Sequence, residues 1–205
     1  MLLEIGISPC PNDVFIFAGI LLGAVKADGL EFRFRFEDVE TLNRLAQDSG
    51  LDVAKISYAN YSRCAKDYRL LGCGGALGRG VGPLLLTSGA RLDPEREILV
   101  PGEFTTANFL LDYYLERRAV KRFVPFDALY EELLTIPGSQ GVVIHEKRFT
   151  YRKDGLTLIR DLGDHWEECT GFAIPLGAIV ARTDLDIAAP LENIIRRSLA
   201  WSYAH

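Results

Sequence analysis

Leu30-Glu-Phe-Arg-Phe-Arg-Phe36 alternates apolar and charged residues over seven positions. A period of two puts Leu30, Phe32, Phe34 and Phe36 on one face of an extended chain and Glu31, Arg33 and Arg35 on the other, so a half-buried strand is predicted here. Upstream, Leu2–Ile7 is a short apolar run stopped by Ser8-Pro-Cys-Pro11, after which Asn12 and Asp13 stand directly before the apolar segment Val14–Leu22. That pattern reads as strand, loop and capped helix. Downstream, Glu40–Asp48 reads as a helix, and Leu51-Asp-Val-Ala-Lys-Ile-Ser57 as a strand running into a loop at Tyr58-Ala-Asn-Tyr61. The order is β-α-β-α-β.

The second half repeats the alternation. Ile98–Pro101 reads as a strand, Thr105–Arg117 as a helix, Arg122–Pro125 as a strand, Tyr130–Leu134 as part of a helix and Gly141-Val-Val-Ile-His145 as a strand. Leu156–Leu162 and Ala178–Ala181 add strands, and Leu191–Tyr203 carries apolar residues at helical spacing up to an end at His205 with no glycine cap, proline or polar tail. Strands alternating with helices predict an α/β protein with parallel sheets covered on both faces. Between the halves, Gly72-Cys-Gly-Gly-Ala-Leu-Gly-Arg-Gly-Val-Gly82 is dense in glycine and reads as an irregular connector, since its spacing matches neither G-x-G-x-x-G nor G-x-x-x-x-G-K-[ST]. The polar stretch Ser88–Glu97 is the expected linker, and two units so divided suggest two lobes with a ligand cleft between them.

Composition narrows the function classes. The 205 residues are 48% hydrophobic and 25% charged, which suits an ordinary globular chain with a sizeable core. A net charge of -5 gives no reason to expect nucleic acid or an anionic membrane as a partner, and the basic pairs Arg117-Arg118 and Arg196-Arg197 read as solvated helix faces. Cys10, Cys64, Cys73 and Cys169 form no C-x-x-C pair, so reduced thiols are expected rather than a zinc site or a disulfide framework. Met1–Ser8 has no basic segment ahead of an apolar one, and Val14–Val25 falls short of the roughly 20 residues that span a bilayer. A cytoplasmic protein is expected.

Three strand-to-helix junctions carry small polar groups where backbone N–H donors and the positive end of a helix would favour an anion: Ser8–Asp13, Lys55-Ile56-Ser57 and Gly102–Asn108. Ligands of open α/β sheets bind at the carboxyl ends of strands, where all three are expected. His145, at the end of its strand, is placed to act as a general base near neutral pH, although a lone histidine more often serves structure. With three histidines, no H-E-x-x-H and no G-x-S-x-G, neither a metal-activated mechanism nor a serine hydrolase is supported.

Ser8-Pro-Cys-Pro-Asn-Asp-Val-Phe15, Ala54-Lys-Ile-Ser57, Ala76-Leu-Gly-Arg-Gly-Val-Gly-Pro83, Thr105-Thr-Ala107 and Gly141-Val-Val-Ile-His-Glu-Lys-Arg-Phe-Thr-Tyr151 occur in an order and spacing that resembles the 1,4-dihydroxy-6-naphthoate synthases of the futalosine route to menaquinone. The resemblance implies a fold like the type II periplasmic binding proteins, with residues 1–88 and 175–205 in a first lobe and 89–174 in a second. The crossing strands would lie near Pro83–Thr87 and Pro175–Ala181. It also implies a small carboxylate substrate, cyclic dehypoxanthine futalosine, cleaved without a metal or organic cofactor. Lys55, Ile56, Ser57, Thr106 and Ala107 would bind it, His145 would accept a proton, and Asp13 would line the cleft. Val14 stands where the family often has threonine, and the family's chains continue past the equivalent of His205, so a first lobe lacking its last helices is expected. A chorismate dehydratase of the same pathway is the enzymatic alternative, fitted poorly by the Ser8–Asp13 string and His145. A solute-binding protein is the alternative from another class. The sequence leaves the oligomeric state open.

Overall fold

In the computed structural model, which describes residues 1–27, 29–116 and 119–205, the apolar run near the start forms β1 (Leu2–Ile7), with Leu3, Ile5 and Ile7 buried. Asp28, Arg117 and Arg118 lie outside the described residues, and with them the first basic pair and the expected end of the helix at Arg117. The chain turns into α1 (Pro11–Leu21), whose Ile16, Phe17 and Ile20 pack on β1. Asn12 and Asp13 do not precede this helix: it begins at Pro11, whose fixed φ and missing N–H suit a first helical position. Next come β2 (Glu31–Phe36), α2 (Val39–Gln47), β3 (Val53–Ser57), α3 (Tyr61–Cys64), β4 (Tyr68–Leu70) and β5 (Ala76–Gly78). Asp38 caps α2 by accepting from the Glu40 and Thr41 N–H groups.

The middle of the chain holds β6 (Leu84–Thr87), β7 (Ile98–Val100), α4 (Thr106–Leu115), β8 (Lys121–Phe123), α5 (Phe126–Thr135), β9 (Gln140–Val143), β10 (Thr157–Asp161) and α6 (Leu162–Thr170). It ends in β11 (Ile174–Arg182) and α7 (Ala188–Ala204). Two compact units result, unit 1 being Met1–Ala76 with Gly177–His205 and unit 2 being Leu77–Leu176. The chain thus leaves unit 1 after Ala76, ahead of the apolar run Pro83–Thr87, and Ser88–Glu97 lies inside unit 2. Gln140 ties that polar stretch down, its Oε1 accepting from Asp93 N at 2.9 Å and its Nε2 donating to the Asp93 and Arg96 carbonyls.

Unit 1 carries a sheet in the order β2-β1-β3-β11-β4, with β5 beside β11. The strands β2, β1 and β3 are parallel, and β11 runs antiparallel to both β3 and β4. Unit 2 carries the order β10-β6-β9-β7-β8, in which β9, β7 and β8 are parallel and β6 is antiparallel to β9 and β10. Parallel sheets were the expectation; both are mixed. A parallel neighbour needs a crossover that carries the chain back to its starting edge, and β11 enters unit 1 from unit 2 with no such crossover behind it. In α7, Leu191, Ile194, Ile195 and Ser198 face inward at helical spacing, while Arg196 and Arg197 stay exposed as expected.

The glycine-rich connector has a packing reason. Gly82 and Gly163, at the start of α6, bring two backbones together: a Cβ on Gly82 would lie 2.8 Å from Gly163 Cα, and one on Gly163 would lie 2.6 Å from the Val81 carbonyl oxygen. Arg148 fastens the contact, donating to the Gly82 carbonyl at 2.6 Å and pairing with Asp161 at 2.9 Å. Alanine normally exceeds glycine in a helix by about 1 kcal/mol. Here the clash reverses the sign, and Gly163→Ala is expected to destabilise the protein by about 1–3 kcal/mol. Urea unfolding checks it; a raised midpoint would show that the contact yields.

Candidate functional site

No residue of β3 is exposed, so its polar side chains need partners inside the protein. Lys55 and Ser57, two residues apart, project from the same face. The Lys55 ammonium donates to Asp13 Oδ1 at 3.0 Å and to the Gly74 carbonyl at 3.1 Å. The other Asp13 oxygen accepts from the Ser8 hydroxyl at 2.6 Å and from the Ser8 N–H at 3.2 Å. Asp13, Lys55 and Ser57 are 7%, 5% and 4% exposed, so the two charges are desolvated and rely on each other and on these hydrogen bonds. Asp13 also sits in the first turn of α1, where the helix dipole favours a carboxylate.

Ser57 is held from α2. Its N–H donates to Asn43 Oδ1 at 2.8 Å, and Asn43 Nδ2 donates to Ser57 Oγ at 3.1 Å. Ile56 points to the opposite face, into an apolar cluster with Leu42, Ala46, Leu51 and Tyr68. Its backbone pairs with Ala178 of β11 in the antiparallel ladder. Asn43 was not among the expected residues. Its one sequence signal is a polar amide beside Leu42 and Ala46 on the inward side of a helix, which periodicity alone treats as boundary noise.

In unit 2 the three parallel strands β8, β7 and β9 end at one edge, and each is followed there by a chemically distinctive residue. After β7, Thr105 caps α4: its Oγ1 accepts from the Asn108 N–H at 3.2 Å and donates to the Gly102 carbonyl at 2.9 Å. The Phe109 N–H goes to the Thr105 carbonyl. Thr106 uses its hydroxyl on the Leu176 carbonyl at 2.9 Å. Among the described residues this leaves the N–H groups of Thr106 and Ala107 without an acceptor, two adjacent donors at the positive end of a helix.

After β9, Ile144 is extended and His145 turns left-handed at φ 58°, opening a 3₁₀ turn through Phe149. The strand therefore stops at Val143 rather than running to His145, because a left-handed residue cannot continue the ladder. A non-glycine residue in this conformation costs about 1–3 kcal/mol and persists where its surroundings hold it. The imidazole is exposed and packs edge-on against Phe126, which follows β8, with ring centroids 5.4 Å apart and planes at 86°. The expected residues thus fall into two groups, Asp13, Lys55 and Ser57 in unit 1 and Thr106, Ala107 and His145 along one strand-end edge of unit 2. Among the described residues no group of three or more His, Cys, Asp or Glu could hold a metal ion, and no helix is long and apolar enough to cross a membrane.

The fold is widespread. A protein from Candida albicans described as having the generic periplasmic binding protein fold superposes with a TM-score of 0.69 at 13% identity, covering 100% of this chain and 72% of its own. The alkanesulfonate-binding protein of Xanthomonas axonopodis pv. citri does so with a TM-score of 0.73 at 12% identity, over 98% of this chain and 72% of its own. A crystal structure of a protein from Archaeoglobus fulgidus matches more tightly, with a TM-score of 0.91 and 32% identity over 99% of this chain and 77% of that one. In sequence, the 1,4-dihydroxy-6-naphtoate synthase of Thermus thermophilus is 44% identical, covering 99% of this chain and 75% of that protein. The synthase of the same name from Streptomyces coelicolor is 41% identical, covering 97% and 74%. The family described as menaquinone biosynthesis matches residues 3–205. With that match spanning nearly every residue and relatives above 40% identity over the same length, the chain belongs to the menaquinone biosynthesis family.

Proposed function

We propose that this chain is a cofactor-independent carbon–carbon lyase that converts cyclic dehypoxanthine futalosine into 1,4-dihydroxy-6-naphthoate, with His145 as general base. The observation that carries the proposal is the strand-end edge of unit 2, where β7 and β9 lie side by side with Leu99 opposite Gly141. One strand leads to the two unspent amides of Thr106 and Ala107, the other to His145. A carboxylate on the amides and a base on the adjacent strand end are the two requirements of a reaction that removes a proton from a carboxylate substrate. Forming a dihydroxynaphthoate from a cyclic precursor requires loss of a proton next to a carbonyl and expulsion of a carbon fragment. A neutral imidazole takes that proton near pH 7, and the charge left behind spreads into the substrate's own carbonyl. Lys55, Ile56 and Ser57 are assigned to substrate binding, with Asp13 holding the Lys55 ammonium. The expected setting is the cytoplasm, with a small carboxylate molecule as substrate.

Incubating the protein with cyclic dehypoxanthine futalosine and following the naphthoate by mass and fluorescence tests substrate and reaction together. Tight binding of an aromatic carboxylate with the futalosine derivative left intact would instead support a solute-binding protein.

His145→Asn is expected to lower turnover by roughly 100-fold or more while naphthoate binding persists. Asparagine tolerates the left-handed conformation, so the variant should fold. Substantial turnover in the folded variant would move the proton transfer to another group. Thr106→Pro removes one amide donor at the first position of α4, where proline is tolerated and where the extended Thr105 accommodates it. Naphthoate affinity should fall about tenfold, the weight of one charge-assisted hydrogen bond, with little change in thermal midpoint. Thr106→Val, which keeps the amide and loses only the hydroxyl bond to Leu176, should bind nearly normally. Equal affinities in titrations of all three proteins would place the anion elsewhere.

A further inference from the structure

We infer that Asn43 is a positioning residue that fixes Ser57 as a hydrogen-bond donor, aimed at an acceptor oxygen of the ligand. The inference rests on the reading above that Ser57 binds substrate. Asn43 is fully buried on α2, and its side chain meets two atoms of one residue: Oδ1 accepts from the Ser57 N–H at 2.8 Å, and Nδ2 donates to Ser57 Oγ at 3.1 Å. The amide has one chemically consistent orientation, because turning it over would set its NH2 against the Ser57 N–H, donor to donor. Ser57 Oγ is therefore an acceptor in this pair and keeps its own proton. Among the described residues no acceptor for that proton lies within hydrogen-bond distance, although Ser57 is only 4% exposed. A buried donor left unpaired is costly, and a ligand carbonyl or carboxylate oxygen removes that cost.

Asn43 is itself braced. Its carbonyl accepts from Asn60 Nδ2 at 2.9 Å, and Asn60 Oδ1 accepts from Gln47 Nε2 at 2.6 Å. Asn43 and Gln47 are one turn apart on α2, and Asn60 lies in the turn just after β3, so three amides bind the helix to the strand end that carries Ser57. A hydroxyl held this way discriminates: a ligand atom that accepts is recognised, and one that donates meets a donor.

The test is a double-mutant cycle of Asn43→Ala and Ser57→Ala on the full chain, read by fluorescence titration with 1,4-dihydroxy-6-naphthoate, with folding checked by far-ultraviolet circular dichroism. Each single substitution is expected to weaken binding about tenfold, and the double substitution no more than either single, because Asn43 acts through Ser57. If Asn43→Ala costs the same factor with Ser57→Ala already in place, Asn43 serves structure alone and the inference is overturned. Should Asn43→Ala not fold, Asn43→Ser, which cannot reach both Ser57 atoms, is read the same way. Should neither fold, Ser57→Ala decides, unchanged affinity overturning the donor role. Failure of the functional reading looks different: the unaltered chain would then neither bind the naphthoate nor form it from cyclic dehypoxanthine futalosine.

Discussion

A strand with no exposed residue that nevertheless carries a lysine and a serine sets the terms for unit 1. Neither polar group can be left bare inside the sheet, and meeting that demand draws in the surrounding elements. Lys55 recruits Asp13 from α1 and the Gly74 carbonyl from the glycine-rich connector, and Asp13 in turn recruits Ser8 from the loop after β1. Ser57 recruits Asn43 from α2. One buried strand therefore draws two helices and a loop to the polar residues that are assigned to the ligand.

Unit 2 reaches a comparable end by different means. Its candidate groups are mostly backbone donors, made available by how Thr105 caps α4. By taking the Asn108 N–H on its side chain and the Phe109 N–H on its carbonyl, Thr105 satisfies the third and fourth donors of the helix and leaves the first two. Had the cap fallen one residue later, the free pair would have shifted with it. His145 differs again, since the left-handed turn that ends β9 costs energy and swings the imidazole out of the ladder into an exposed position against Phe126.

The architecture itself says little about chemistry. Proteins at 12–13% identity share it, among them one that binds alkanesulfonates, and a fold of this breadth hosts binding and catalysis alike. What sets this chain apart from them in sequence is its 41–44% identity, over nearly its whole length, to two naphthoate synthases.

Local pattern made much of this legible. The alternation in Leu30–Phe36, the proline-rich stop after β1 and the helical spacing in Leu191–Tyr203 are properties of neighbouring residues, and the elements formed where those patterns lie. The helix α6 escaped although its signals were present, Asp161 as its cap and Gly171 left-handed at its end, because the preceding apolar run was read only as a strand. The Gly102–Asn108 junction and His145 could be named from local pattern, since a cap and a strand end are local events, whereas Thr106 and Ala107 came from the resemblance in motif order. The antiparallel direction of β11, the passage between units after Ala76, the close approach of Gly82 to Gly163 and the grip of Asn43 on Ser57 could not. Each joins residues far apart in the chain or on different elements, and hydrophobic periodicity reports which side of a strand or helix faces inward without saying which partner it meets there. The sequence by itself determined the alternation of elements and the residues at their ends; only the tertiary structure decided which polar groups are already spent on one another and which remain to be offered to a ligand.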